Sequence, residues 1–156
     1  MEPFGRLVTA MLTPFTPDGA VDYPRARQLA AALDTTGTEA LVVCGTTGES
    51  PTLTTDEKLR LLGEVKEAVG STAPVIAGTC NYNTAESIEL SREALRVGVD
   101  GILGTVPYYN KPPQEGLLAH FRAIADAVPA PIVLYNVPSR TATNLAPQTA
   151  VTLSEV

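Results

Sequence analysis

Short apolar runs alternate with amphipathic segments along the chain. The runs lie at residues 7–12, 40–44, 74–79, 101–106 and 131–135. A new run therefore begins about every 30 residues, and each is followed by a segment with apolar residues at helical spacing. Nearly continuous apolar runs of this length are typical of strands in a parallel sheet that is covered on both faces. The pattern predicts five βα units and an α/β fold.

Helix start and stop signals separate these runs. Thr54 and Glu57 have the spacing of a capping box, and Gly70 is placed to end the helix that they begin. The predicted helices run from the cap Asp22, with Pro24 in the first turn, to near Gly37; from Thr54 to about Val69; from 85 to 96 after a cap at Asn83 or Thr84; from 114 to 127; and onward from Asn144 and Pro147.

Two architectures accommodate five βα units. One is an open doubly wound sheet, in which only the loops beside the topological switch point line a site. The other is the first five units of an eight-fold TIM barrel, in which every loop at the carboxyl ends of the strands faces one axis. Unusual polar stretches follow three different strands, at residues 45–50, 107–112 and 135–141. That distribution favours the (β/α)8 barrel, of which residues 1–156 are expected to form an incomplete N-terminal portion of one domain.

The stretch after the second strand has the chemistry of a small-anion cradle. Gly45 and Gly48 let backbone N–H groups approach a ligand, and Thr46 and Thr47 add short, rigid donors. An ordinary strand-to-helix turn, in which both threonines satisfy local backbone groups, is the alternative interpretation. The other polar stretches decide between the two.

Tyrosine and arginine side chains follow the fourth and fifth strands. The phenol of Tyr135 can donate and recover a proton while uncharged at rest, and Thr46 and Tyr109 can pass that proton on. Arg140, in a loop stiffened by Pro138, has the planar fork that binds a carboxylate at two points. Taken singly, each side chain has a plain alternative, namely packing for the tyrosines and a solvated charge for the arginine.

Composition excludes several classes of partner. A net charge of −6 and a pI near 4.7, without a run of Lys or Arg, argue against nucleic acid and anionic membranes. The first residues offer no leader pattern, and a cytoplasmic protein is expected. Cys44 and Cys80 are expected to be reduced thiols, and His120 to be a packing or surface residue. With two cysteines and one histidine, neither a metal site nor a cofactor is expected.

Four stretches together resemble dihydrodipicolinate synthase (4-hydroxy-tetrahydrodipicolinate synthase), in matching order and spacing over essentially the whole chain. They are Thr9-Ala10-Met11-Leu12-Thr13-Pro14-Phe15, Gly45-Thr46-Thr47-Gly48-Glu49-Ser50, Pro107-Tyr108-Tyr109-Asn110-Lys111-Pro112 and Tyr135-Asn136-Val137-Pro138-Ser139-Arg140-Thr141. The resemblance implies a (β/α)8 class I aldolase that joins pyruvate, held as an imine on a lysine, to aspartate semialdehyde in lysine biosynthesis.

The resemblance also implies roles for individual residues. Thr47 would bind the pyruvate carboxylate, Tyr135 would donate and accept the proton, and Thr46 with Tyr109 would complete the relay. Arg140 would hold the carboxylate of the semialdehyde. The family is usually a tetramer of tight dimers, in which the tyrosine matching Tyr109 reaches into the neighbouring subunit's site.

Two features depart from the family pattern. The family's imine lysine stands on the sixth strand, and these 156 residues are expected to stop before it; Lys58 and Lys66 are predicted on the solvated side of the second helix and Lys111 in a loop. Secondly, Thr55, Lys58 and residues 81–83 differ from the pattern with which some members bind lysine as an inhibitor, so lysine inhibition is not implied.

Three functions remain open at this point. The first is the N-terminal part of a dihydrodipicolinate synthase. The second is another pyruvate-dependent lyase of the superfamily, such as an N-acetylneuraminate or 2-keto-3-deoxy sugar acid aldolase, against which the Ser139-Arg140 pair argues. The third is a non-catalytic domain that binds a small molecule or a protein partner through the cradle.

Overall fold

A computed structural model describes residues 4–155. The strands are β1 (Val8–Ala10), β2 (Ala40–Val43), β3 (Val75–Ala77), β4 (Gly101–Thr105) and β5 (Ile132–Tyr135). The helices are α1 (Tyr23–Thr35), α2 (Thr55–Val69), α3 (Thr84–Arg96), α4 (Gln114–Ala127), α5 (Pro138–Thr141) and α6 (Pro147–Leu153), with a 3-10 turn at Ser50–Thr52.

The five strands form one parallel sheet in the order of the sequence, β1-β2-β3-β4-β5. Val43 lies opposite Ala77, and Thr105 opposite Tyr135, so the loops that leave β2 to β5 emerge at one edge. The order contains no switch point, which excludes the open doubly wound sheet. The prediction of the first five βα units of a TIM barrel is confirmed.

The two faces of this arc of strands have separate hydrophobic clusters. The larger cluster packs the outer face against the helices and includes Leu41, Val75 and Ile102. The smaller cluster covers the inner face and consists of Phe4, Ala40, Ile76 and Leu103, with Val42 and Tyr135 packed against it. Burial of β2, β3 and β4 on both faces explains why their sequences read as continuous apolar runs, whereas β1 and β5, at the edges of the arc, are partly exposed.

Helix capping follows the sequence signals. The backbone N–H of Thr54 donates to the Glu57 carboxylate at 2.8 Å, and the N–H of Glu57 donates to the Thr54 hydroxyl at 3.2 Å, as a capping box requires. Asp22 accepts from the N–H of Arg25 at 3.0 Å and caps α1. These local bonds place the helices, and through them the loops at the carboxyl edge.

The region after β5 differs from the prediction. A four-residue helix, α5, lies where a loop was expected. The last helix, α6, begins at Pro147 as predicted, but its N-cap is Ala146 and not Asn144. The Asn144 side chain instead accepts a hydrogen bond from Asn136 at 2.9 Å. Within residues 4–155, no helix is long and apolar enough to cross a membrane.

Candidate functional site

The turn after β2, residues 45–50, is built from its own backbone hydrogen bonds. The N–H groups of Gly48 and Ser50 donate to the Gly45 carbonyl at 3.1 and 3.3 Å, and the N–H of Glu49 donates to the Thr46 carbonyl at 3.1 Å. The N–H groups of Thr46 and Thr47 donate to no acceptor within residues 4–155. Two adjacent free backbone donors, with two exposed hydroxyls beside them, are what an anion cradle requires.

This turn, hereafter the cradle, lies over the inner face of the sheet. A Cβ at Gly45 would stand 3.1 Å from Cγ1 of Val42 and 3.7 Å from Cδ2 of Leu103. Leu103 belongs to the inner cluster, and both Val42 and Tyr135 pack against that cluster. The loop after β2 and the end of β5 are therefore brought to the same side of the arc, although about 90 residues separate them in sequence.

The three residues of the predicted proton relay are not joined to one another. Tyr135 is half-buried at the end of β5 and Thr46 is exposed, whereas the Tyr109 side chain is 87% exposed. Within residues 4–155, no hydrogen bond links their hydroxyls. Tyr109 also has a φ of 74°, a left-handed conformation that a bulky residue adopts only at a cost in strain. The loop thus holds this phenol out in solvent.

Tyr108, the neighbour of Tyr109, has a packing role. Its ring meets that of Tyr82 edge-on, with 5.2 Å between centroids. Burial raises the pKa of the Tyr108 phenol, since desolvation disfavours the phenolate. The packing interpretation therefore holds for Tyr108 and not for Tyr109.

Arg140 lies in the last turn of α5 and is exposed. Its guanidinium forms no ion pair within residues 4–155. The loop around it is nonetheless fixed, because the Thr141 hydroxyl donates to the Thr143 carbonyl at 2.8 Å and Ala142 turns the chain with a φ of 53°. An unpaired guanidinium on a braced loop suits a ligand carboxylate.

Hydrogen bonds from side-chain amides hold the same loop in place. The sequence analysis did not predict them. The N–H of Leu145 donates to Oδ1 of Asn136 at 3.0 Å. Gln114, at the start of α4, donates to the Asn144 carbonyl at 2.8 Å and accepts from the N–H of Ala146 at 3.0 Å and from the Thr149 hydroxyl at 2.7 Å. No spacing rule connects Gln114 to residues 30 positions later, so only the fold reveals this bracing.

Two lysines, Lys58 and Lys66, are less exposed than the predicted position on the solvated side of α2 implied. Lys66 is not simply solvated, because its ammonium donates to the Asp100 carboxylate at 2.7 Å and its side chain is 21% exposed. Lys58 is half-buried and lines a cleft of about 390 Å³ together with Cys44, Cys80 and Ser50 of the cradle. Lys111 is exposed, as expected for a loop.

The two thiols of that cleft are poor nucleophiles. Burial raises the pKa of Cys44 to about 12 and that of Cys80 to about 11. Both cysteines are free, as the sequence predicts, and both are protonated at neutral pH. His120 is buried, with Nδ1 2.9 Å from the Thr84 hydroxyl, which agrees with a packing role.

A larger groove of about 540 Å³ lies away from the cradle, between α4, β5 and α6. Its lining is mainly apolar, with Phe121, Ile132, Leu134 and Leu153 among its residues, and none of the predicted site residues contributes to it. Within residues 4–155, no three His, Cys, Asp or Glu side chains are grouped as a metal site requires. The side chains that the sequence analysis singled out therefore lie outside this groove.

Comparison with known proteins identifies related sequences. The model of the dihydrodipicolinate synthetase family matches residues 3–156. A protein named 4-hydroxy-tetrahydrodipicolinate synthase from Symbiobacterium thermophilum is 63% identical over 154 residues, which are 99% of this chain and 53% of that protein. A second one, from Heliobacterium modesticaldum, is 59% identical, with 96% of this chain and 50% of that protein covered.

Solved structures of dihydrodipicolinate synthases are also similar to this chain. The lysine-bound enzyme from Cyanidioschyzon merolae superposes with a TM-score of 0.98 at 48% identity, with 100% of this chain and 53% of that one covered. The pyruvate complex of the chloride-inhibited enzyme from Acinetobacter baumannii superposes with a TM-score of 0.94 at 43% identity, with 96% and 52% covered. The chain spans about half the length of the relatives it matches.

Proposed function

We propose that this chain, which belongs to the dihydrodipicolinate synthetase family, forms the carboxylate-binding and proton-transfer part of a 4-hydroxy-tetrahydrodipicolinate synthase. The reaction would condense pyruvate, held as an imine on a lysine, with L-aspartate 4-semialdehyde on the route to diaminopimelate and lysine. The observation that carries the proposal is the cradle: the N–H groups of Thr46 and Thr47 have no acceptor within residues 4–155, and Gly45 lies against the inner cluster on which Tyr135 packs.

Pyruvate would bind by its carboxylate in the cradle. Thr47 is the principal substrate-binding residue in this proposal, and Gly45 and Gly48 allow the close approach of the backbone. Charge-assisted hydrogen bonds to a carboxylate are stronger than neutral ones, and backbone donors need no rearrangement when the ligand arrives. The A. baumannii relative has been solved with pyruvate, which supports a pyruvate site in proteins of this shape.

Tyr135 would transfer the protons. Imine formation removes the ketone oxygen of pyruvate as water, loss of a methyl proton gives an enamine, and the enamine carbon attacks the aldehyde carbon while the aldehyde oxygen takes a proton. A phenol at the end of β5 is suited to these transfers, since it can give up and recover a proton near the reacting atoms. Thr46, in the cradle, would pass the proton onward.

Tyr109 would complete the relay in a neighbouring subunit. Its side chain is 87% exposed and is held outward by a strained backbone, so it is available to another copy of the chain. This requires a homo-oligomer, which we propose to be a dimer of dimers. A biosynthetic enzyme with these substrates would act in the cytoplasm.

Arg140 would bind the carboxylate of the semialdehyde. Its guanidinium is exposed and unpaired within residues 4–155, and the amide network around Asn136 holds its loop. A two-point contact with a carboxylate would fix the aldehyde carbon beside the enamine. This residue would therefore set the specificity for the second substrate.

The lysine that forms the imine would come from outside these 156 residues. An imine lysine must be desolvated to be nucleophilic at neutral pH. Lys66 forms an ion pair with Asp100, Lys111 is exposed, and Lys58 lies on α2, half-buried at a cleft, and not on a strand of the barrel. We place the lysine in the half of the relatives that this chain does not cover.

Borohydride reduction in the presence of pyruvate tests the proposal. A protein that extends these residues over the whole length of the relatives, hereafter the extended protein, should gain one reduced pyruvyl adduct, located by mass spectrometry on a lysine beyond residue 156. The 156-residue chain should gain none. An adduct on Lys58, Lys66 or Lys111 would overturn the lysine assignment. An extended protein that neither forms an adduct nor consumes the two substrates would overturn the function.

A further inference from the structure

We propose that Thr13 is a positioning residue for the pyruvate carboxylate. Its hydroxyl holds the Gly48 carbonyl and so keeps the cradle in the conformation in which the N–H groups of Thr46 and Thr47 are free to bind an anion. The inference rests on the proposed function for the identity of the ligand. Its structural basis is a contact between two loops, one after β1 and one after β2, that lie 35 residues apart in sequence.

The contact is short and buried. The Thr13 hydroxyl donates to the Gly48 carbonyl oxygen at 2.7 Å, Thr13 is 5% exposed, and Gly48 is also buried. A buried carbonyl that loses its donor keeps the full cost of desolvation, so the bond contributes more here than it would at the surface. Water has little access to replace the hydroxyl.

The bond completes a clamp on one peptide group. The carbonyl of the peptide between Gly48 and Glu49 accepts from Thr13, and its N–H donates to the Thr46 carbonyl at 3.1 Å. With both ends held, this peptide cannot rotate to offer its carbonyl to the N–H groups of Thr46 or Thr47. Those two donors are left without a partner among residues 4–155, which is the state that binds an anion.

Thr13 itself is fixed from both sides. The N–H of Met11 donates to the Val42 carbonyl at 2.9 Å, and the Pro14 carbonyl accepts from the N–H of Asp22 at 2.9 Å. A Cβ at Gly48 would stand 3.1 Å from the Met11 carbonyl oxygen and 3.2 Å from the Thr13 hydroxyl oxygen, so the two loops are in direct contact. The loop after β1 therefore acts as a rigid support for the cradle.

A purely structural hydroxyl would satisfy one buried carbonyl and do nothing else. The two possibilities differ in which substrate they affect. Catalysis through an enzyme-bound imine separates the pyruvate half-reaction from the aldehyde half-reaction, so the two kcat/KM values report on different steps. Loss of a positioning residue lowers kcat/KM for pyruvate, whereas general destabilisation of the fold lowers kcat/KM for both substrates.

Three variants of the extended protein separate these cases. Thr13→Val keeps the shape and removes the donor, and Thr13→Ser keeps the donor and removes a methyl group. Thr79→Val is the matched control, because Thr79 is 4% exposed and its hydroxyl lies 2.6 Å from that of Ser91 and bonds to no group of residues 45–50. Thermal unfolding of each variant measures how much the fold is weakened.

Thr13→Val should lower kcat/KM for pyruvate about tenfold, the equivalent of roughly one hydrogen bond, and leave kcat/KM for the semialdehyde within about twofold. Thr13→Ser should restore most of the loss. Thr79→Val should lower the melting temperature as Thr13→Val does and leave both kcat/KM values within about twofold. An equal fall in both values for Thr13→Val, or no fall in a folded variant, would overturn the positioning role.

Amide resonances provide a second test of the role of Thr13, and this test does not depend on catalysis. Thr13→Val should shift the ¹H–¹⁵N signals of Thr46 and Thr47, and Thr13→Ser should leave them near their original positions. Unchanged signals in Thr13→Val would show that the hydroxyl does not orient the cradle. If the unmodified extended protein forms no pyruvate adduct, the proposed function fails. The amide resonances still decide in that case whether Thr13 holds the turn.

Discussion

Gly78, just beyond β3, lies directly against the carbonyl group of Cys44, and a Cβ at Gly78 would overlap that oxygen. Cys44 has a φ of 57°, a left-handed conformation that turns the chain from β2 into the cradle. The N–H of Gly78 also donates to the Val43 carbonyl at 2.8 Å. The entry to the cradle is thus shaped by the residue that directly follows the neighbouring strand.

Gly78→Ala should therefore destabilise the protein and distort the cradle. The added methyl meets backbone rather than a flexible side chain, so the expected loss is about 3 kcal/mol, at the upper end for overpacking. Urea unfolding measures it. Gly63→Ala is the control, since Gly63 lies within α2 with no heavy atom within 4 Å of an added Cβ, and it should stabilise by about 0.5 to 1 kcal/mol. A Gly78→Ala variant as stable as Gly63→Ala would contradict the argument.

Tyr135→Phe should separate imine formation from turnover. In the extended protein the variant keeps the aromatic packing on the inner cluster and removes the hydroxyl. Removal of a general acid–base group lowers kcat by about 10² to 10⁴, whereas the lysine that traps pyruvate is untouched. Steady-state kinetics and borohydride trapping measure the two effects. Full activity of the variant would remove Tyr135 from the relay.

Arg140→Ala should mainly raise the KM for the semialdehyde. Loss of a charge-assisted contact with a carboxylate corresponds to about 1.5 to 3 kcal/mol, or roughly a 10- to 150-fold effect. The rate of pyruvate trapping should be unchanged. Arg122→Ala is a control that removes a different exposed arginine, on α4. An equal effect of the two substitutions on the semialdehyde KM would exclude a specific role for Arg140.

His120 should make stability depend on pH. Its Nε2 has no hydrogen-bond partner among the described residues, and burial lowers its pKa below the ordinary value of 6.5. The unfolded chain then binds the proton more readily, so the stabilisation is present above about pH 6.5 and is lost as the pH falls below it, by at most about 1.4 kcal/mol per pH unit.

Urea unfolding between pH 5 and pH 8 tests this dependence. His120→Gln should flatten the profile in that window, because the amide does not titrate there. The carboxyls of Glu39 and Glu57, whose pKa values are lowered by hydrogen bonds from backbone N–H groups, titrate at more acidic pH in both proteins. Identical slopes for the two proteins would show that His120 does not contribute.

Helices α1, α2 and α3 and their caps could be predicted because their signals are local. Thr54 and Glu57 are three residues apart, and Asp22 caps the helix that follows it directly. The four-residue helix α5 was missed because it depends on the bracing of its loop by Asn136 and Gln114, contacts that no periodicity records. Lys58 was predicted to be solvated because its position along α2 suggested an outer face, and the packing of the neighbouring loops half-buries it.

The sequence alone determined the βα order, the identity of the cradle and the residues with chemical potential, since hydrophobic period, glycine placement and side-chain type are written along the chain. Only the tertiary structure decided that the Thr13 hydroxyl donates to the Gly48 carbonyl and that the Tyr109 side chain is exposed to solvent. It also decided that Gly78 leaves room for the carbonyl group of Cys44 at the turn into the cradle. The physical reason is that parallel strands bring the loops that follow them to one edge, where residues more than 30 positions apart make short contacts that no local signal encodes.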